Sequence, residues 1–151
     1  QQKKLAEQEQ KQMELDAVTL DRVICGEQQP ESDHFMEMLN SNTGSDEDLH
    51  WREARDYGWF SYLMKTQTDT VAQIRIVYKG LPSRDATVWV NDVKVGTLTS
   101  VVSNELSISE FALPQALQGE KQFRVKIGTA TSKTTVRIYE VRLVKNAEPT
   151  K

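Results

Sequence analysis

The sequence predicts an all-β fold, an antiparallel β-sandwich of about eight strands with a jelly-roll-like topology. Three observations predict it. Apolar and polar residues alternate over short stretches, most cleanly where Phe123, Val125 and Ile127 alternate with Arg124 and Lys126, the period of a half-buried strand. Turn residues separate those stretches, Gly80-Leu81-Pro82-Ser83 and Asn91-Asp92 among them, types that tolerate the backbone angles of tight connections. No helical pattern intervenes between them, so the strands are expected to pair antiparallel without crossover helices.

Residues 1–16 are strong helix formers with no Gly or Pro and no sustained heptad, which predicts a short helical lead-in or linker over residues 1–18. The sandwich is expected over residues 19–145 and a disordered tail over 146–151. A first short strand, Thr19–Ile24, ends at Cys25-Gly26. Residues 26–62 then show no usable period until Trp59. Gln29-Pro30 is expected to be extended, Asn42-Thr43-Gly44-Ser45 to turn, and Asp46-Glu47-Asp48 to be solvated.

Strands are expected at residues 59–63 and 71–78, then in a hairpin of 87–90 and 93–98 linked by Asn91-Asp92. Others are expected at 106–113, stopped by Pro114, and at 123–127. In the last strand, residues 134–144, Val136 and Ile138 share one parity while Tyr139, Val141 and Leu143 share the other. A bulge near Ile138 or a switch between sheets would produce that change. The first and last strands are expected to be neighbours. Trp89, mid-strand, and Trp59, beside Phe60, are both assigned to the core.

The charge balance is acidic, a net −3 with lysines and arginines dispersed and no basic run longer than Lys3-Lys4, which argues against nucleic-acid binding. No apolar stretch approaches the ~20 residues of a membrane span. The single cysteine, Cys25, excludes an internal disulfide and a Cys-rich zinc site and reads as a small buried apolar residue. Because the chain starts at Gln1, we read it as a piece of a longer protein.

The sequence contains no GxSxG elbow, phosphate-cradling glycine loop, HExxH or CxxC motif, and no catalytic residue is assigned. For metals the default is none. Calcium is the secondary candidate, with Asn42, Asp46 and Asp48 as oxygen ligands, although their spacing lacks EF-hand periodicity. Sugar binding would need aromatic rings to stack on sugar faces and polar groups to take the hydroxyls. Trp51 and Tyr57, with His34, Arg52 and Glu31, form the candidate set, and Trp51 is its principal aromatic.

Four blocks occur in order over 37 residues: GEQQPESDH from Gly26, SNTG from Ser41, WREAR from Trp51 and WFSY from Trp59. Together they resemble the C-terminal accessory domain of the bacterial β-L-arabinofuranosidase family of glycoside hydrolases, formerly a domain of unknown function and common in gut Bacteroides. The resemblance implies a non-catalytic β-sandwich attached to an upstream catalytic (α/α) barrel, which carries the family's glutamate and cysteine-ligated zinc. It also implies a periplasmic or cell-surface parent that degrades plant polysaccharides. The reading favoured on these grounds is structural support of that barrel. The alternative is a carbohydrate-binding module for arabinose-containing plant glycans.

Overall fold

In the computed structural model, residues 2–67, 71–99 and 105–145 are described; the expected tail at 146–151 lies outside them. One helix, α1 (Gln2–Val18), leads into β1 (Thr19–Ile24). A one-and-a-half-turn helix, α2 (Gln28–Asp33), separates β1 from β2 (Glu37–Asp46) and β3 (Leu49–Lys65). Then follow β4 (Val71–Lys79), β5 (Ala86–Val90), β6 (Val93–Leu98), β7 (Ser107–Ala112), β8 (Gln122–Gly128) and β9 (Arg137–Lys145). No helix among the described residues is long and apolar enough to cross a membrane.

All pairings are antiparallel, in the order β6-β5-β8-β3-β9-β4-β7, with β1 on β9 and β2 on β3. The strands wrap into a sandwich that approaches a barrel. One layer is β2-β3-β8-β5-β6 and the other β1-β9-β4-β7. β3 belongs chiefly to the first and reaches β9 through the pair Arg52↔Ile138. Phe60, Tyr62 and Met64 of β3, Val88 and Val90 of β5, and Phe123, Val125 and Ile127 of β8 are buried between the layers. They meet Ile74 and Ile76 of β4 and Ile138, Val141 and Leu143 of β9. β5 and β8 thus give one parity to the core and the other to an outer face.

The predicted hairpin is present. Asn91 and Asp92 have φ of 48° and 68°, the left-handed pair that matches the twist of the flanking strands. The parity change in β9 is a bulge at Tyr139, where the register with β4 shifts between Val77 and Tyr78. β1 does lie beside β9.

Residues 26–62 depart from expectation. Gln29-Pro30 is not extended but sits in the first turn of α2, where proline's missing N–H has no intrahelical partner to lose. The expected turn at residues 42–45 is strand, paired to β3 from Ser41↔Ala54 to Asp46↔Leu49; the reversal falls instead at Glu47, with φ of 53°. There are nine strands rather than eight among the described residues, the extra one being β2. Between Leu39↔Trp59 and Ser41↔Ala54 the register slips, so residues 55–58 of β3 lie opposite Asn40 alone. Asp56 and Tyr57 take positive φ there.

Gly44 shows why β2 and β3 fit so closely. A Cβ on Gly44 would overlap Cζ2 of Trp51, its cross-strand partner. Gly44→Ala is therefore expected to lower stability by about 1–3 kcal/mol, the usual cost of overpacking, read as a lower urea midpoint at unchanged slope.

Candidate functional site

The five residues selected from the sequence do not form one groove. Glu31 and Arg52 do meet, but in the interior. Arg52 donates to Glu31 from Nε at 2.7 Å and Nη2 at 2.9 Å, a bidentate pair. The same carboxylate accepts from the Gly26 N–H at 3.0 Å and the Tyr62 hydroxyl at 2.5 Å. Glu31 is 4 % exposed and Arg52 6 %. Burial opposes ionisation of Glu31, but the Arg52 guanidinium and Tyr62 hydroxyl outweigh it and hold the carboxyl below its ordinary pKa. This network ties α2 to β3 over the floor formed by Cys25 and Tyr62, both buried; burial pushes the Cys25 thiol well up.

Trp51 is only 8 % exposed. The Arg137 guanidinium lies over its ring, 4.2 Å from the centroid, and Gly44 packs against it. Its indole is roofed by protein, which corrects its assignment as the stacking platform. Tyr57 is exposed, but it stands on the β3 bulge, where its N–H donates to the Thr131 carbonyl at 2.7 Å.

His34 bridges two acceptors. Nδ1 is 2.7 Å from the Pro30 carbonyl and Nε2 is 2.8 Å from Asp21 Oδ1. With an acceptor on each ring nitrogen, both must donate, so the fold calls for the imidazolium. Asp21, opposed by burial and helped by the Pro30 carbonyl, raises the His34 pKa above its ordinary value of 6.5. A raised folded pKa means the contribution is complete below ~6.5 and is lost as pH rises through the folded value. Melting temperature is therefore expected to fall on that rise, and His34→Gln to flatten this limb of the profile.

The calcium candidates are separated by their partners. Asp46 accepts from the Tyr139 hydroxyl at 2.7 Å and faces Arg137 at 3.6 Å and Lys79 at 3.8 Å. Asn42 donates to Glu53 at 3.4 Å, and Asp48 is exposed at the β2–β3 turn. No cluster of three His, Cys, Asp or Glu able to hold a metal occurs among the described residues.

A different aromatic arrangement occupies the outer face of the β2-β3-β8-β5-β6 layer. Trp59 of β3 and Trp89 of β5 point away from the core because Phe60, Val88 and Val90 take the inward parity; both indoles are half-buried rather than interior. That corrects the core assignment of both. β8 runs between them, with Trp59 opposite Gly128 and Trp89 opposite Lys126. The Lys126 ammonium stands 5.3 Å from the Trp59 ring and 4.9 Å from the Trp89 ring. A Cβ on Gly128 would lie 2.6 Å from that of Trp59, so glycine there gives Trp59 its place. The strands bearing the indoles are two apart, about 10 Å by sheet spacing.

Around this centre, the row Glu37, Ser61, Lys126, Trp89 and Lys94 runs across all five strands. Such a face can stack ring-shaped ligands on indole and donate hydrogen bonds from ammonium. The signal that could have found it is parity: Ala86, Val88 and Val90 already supply a complete inward face for β5, leaving Trp89 outside.

Two half-buried indoles thus share the outer face of one layer of an antiparallel β-sandwich. The chain belongs to the family of unknown function DUF6805, whose model matches residues 14–144. No curated protein matches it by sequence. Among solved structures it resembles a family 35 carbohydrate binding module from Clostridium thermocellum, with TM-score 0.61 and 9% identity over 83% of this chain and 98% of the module. It also resembles CBM29-2, a family 29 carbohydrate binding module solved as a point mutant with mannohexaose, with TM-score 0.57 and 11% identity over 83% and 91%. A third likeness is to an exo-β-1,3-galactanase from Phanerochaete chrysosporium, with TM-score 0.61 and 11% identity. There the match takes in 83% of this chain and 29% of the enzyme, so the chain spans under a third of that protein. At these identities the likeness is one of fold.

Proposed function

We propose that this domain is a non-catalytic carbohydrate-binding module whose platform is the Trp59–Lys126–Trp89 face. The observation that carries the reading is the placement of two indoles outward on one layer, where burial in the core would have been the default for residues of that size. The fold likeness to carbohydrate binding modules over nearly their whole length supports it. This displaces structural support as the leading reading.

The resemblance in residues 26–62 extends the proposal: the parent is an exported glycoside hydrolase of β-L-arabinofuranosidase type, and the module holds its catalytic barrel near arabinose-containing plant glycans. Glu31, Arg52 and His34 act in this account as the brace that sets α2 against β3, not as sugar ligands. Binding is also proposed to be independent of calcium, since Asp46 is already engaged by Tyr139.

Affinity electrophoresis of the domain through gels holding arabinan, arabinogalactan, pectin, xylan or mannan tests the reading. Retardation by at least one glycan, unchanged by chelator, is the expected outcome. Uniform mobility through all five would overturn it.

A further inference from the structure

The platform is unusual in the chemistry of its polar groups. Neutral sugars present hydroxyls that both donate and accept, and a site for them ordinarily offers acceptors as well as donors. This face is rich in donors and cations. Lys126 lies at its centre, Lys94 beside Trp89 in the same cross-strand row, and Arg124 on the same side of β8. The Lys126 ammonium makes no ion pair among the described residues; its contacts are the two indole faces. The carboxylate in its row, Glu37, is two strands away on β2 and faces Arg124 at 4.0 Å. Arg124 in turn donates to the Phe35 carbonyl at 2.8 Å. A chain of net charge −3 thus gathers several of its cations around its aromatic platform.

Two physical consequences follow. An ammonium held by aromatic quadrupoles alone keeps most of its capacity to donate, because cation–π contacts satisfy charge but no hydrogen bond. The indoles also restrict the lysine's rotamers before any ligand arrives, so less side-chain freedom remains to be lost on binding. The complementary group is an anionic acceptor carried on a ring that can stack.

Resting on the carbohydrate-binding reading above, we infer that the preferred ligand is an acidic glycan, with a sugar carboxylate paired to Lys126 while its ring or the next stacks on Trp59 or Trp89. The class is uronate-bearing oligosaccharide, whether the uronate forms the main chain or is a side group. Charge selects it through Lys126, and Lys94 and Arg124 raise the local potential that steers it to the face.

The test is calorimetric titration of the intact domain with oligogalacturonate, with the same oligosaccharide fully methyl-esterified, and with glucuronate-substituted xylo-oligosaccharide. The expected result is at least tenfold tighter binding of the acid than of its ester, weakening as salt rises. Lys126→Met, checked for an unchanged melting temperature, should reduce that preference to under threefold; Lys126→Arg should retain it. The two acids compared with each other distinguish a main-chain uronate from a side-group one.

Equal affinity for acid and ester, or a preference that survives Lys126→Met, would overturn the inference while leaving a carbohydrate-binding module standing. Failure of all three probes, together with uniform mobility on the glycan gels, would overturn both. If Lys126→Met melts lower than the parent, Trp89→Phe with Lys126 intact gives the second reading. It should weaken acid and ester alike and preserve their ratio; loss of the ratio would count against a lysine-based choice.

Discussion

Glu31→Ala is expected to lower the unfolding free energy by about 3–5 kcal/mol, the range for removing one partner of a buried ion pair, a large share of the ~5–15 kcal/mol that keeps an ordinary domain folded. The Glu31 carboxylate is the common acceptor for Arg52, Tyr62 and the Gly26 N–H. Removing it strands a guanidinium that is 6 % exposed and leaves a buried hydroxyl unpaired. Urea unfolding followed by tryptophan emission measures the loss. A double change, Glu31→Gln with Arg52→Met, should recover part of it, because the uncompensated charge leaves with its partner.

The same carboxylate contributes to the acid limb of stability, together with the other carboxylates held below their ordinary pKa, Asp21 and Glu140 among them. The folded pKa of Glu31 lies below the ordinary value of 4.5, so its contribution is present above ~4.5 and lost as pH falls through the folded value. His34 acts with the opposite sign, losing its contribution as pH rises through its own raised value. Between the two limbs, from ~4.5 to ~6.5, both contributions are in place, and stability is expected to be greatest there.

The second large effect concerns binding. Trp59→Ala combined with Trp89→Ala is expected to weaken glycan binding about 100-fold, roughly tenfold for each stacking ring, while the melting temperature moves little. Both side chains lie on the outer face and neither belongs to the core cluster. Trp51→Ala should behave in the reverse way. It removes a ring held between Gly44 and Arg137, so stability falls and the affinity of the remaining folded protein stays close to the parent's.

The contrast among the three tryptophans shows what is legible in the sequence. Strands that alternate cleanly can be read together with their faces, as in β4, where Ile74, Ile76 and Tyr78 are buried and Gln73 and Arg75 are not. The Asn91-Asp92 hairpin and the bulge in β9 are legible too, because turn chemistry and parity are local. β2 is not. Its residues, Glu37–Asp46, are mostly polar and exposed, since it is an edge strand with little to bury, and its Asn, Thr, Gly and Ser resemble a turn. The pairing that makes it a strand lies in β3.

The tryptophans are misread for a related reason. Size and apolar neighbours argue for the core, so Trp89 reads as interior although Val88 and Val90 already fill that side. Trp51 sits in a polar context, His50 and Arg52, yet its ring is covered by Arg137 from the far end of the chain. Nothing near Trp51 in the sequence carries that information. Likewise Glu31 and Arg52, grouped from the sequence as sugar-binding candidates, are joined by a long-range ion pair whose burial depends on how α2 packs.

The most direct measurement of the central claim is a two-dimensional amide and indole NMR titration of the intact domain with the glycan that retards it most. The account predicts that the indole N–H signals of Trp59 and Trp89 shift saturably together with amides of Lys126 and Thr87, while the Trp51 indole stays in place. Shifts centred on Trp51, His34 and Arg52, with Trp59 and Trp89 unmoved, would contradict it.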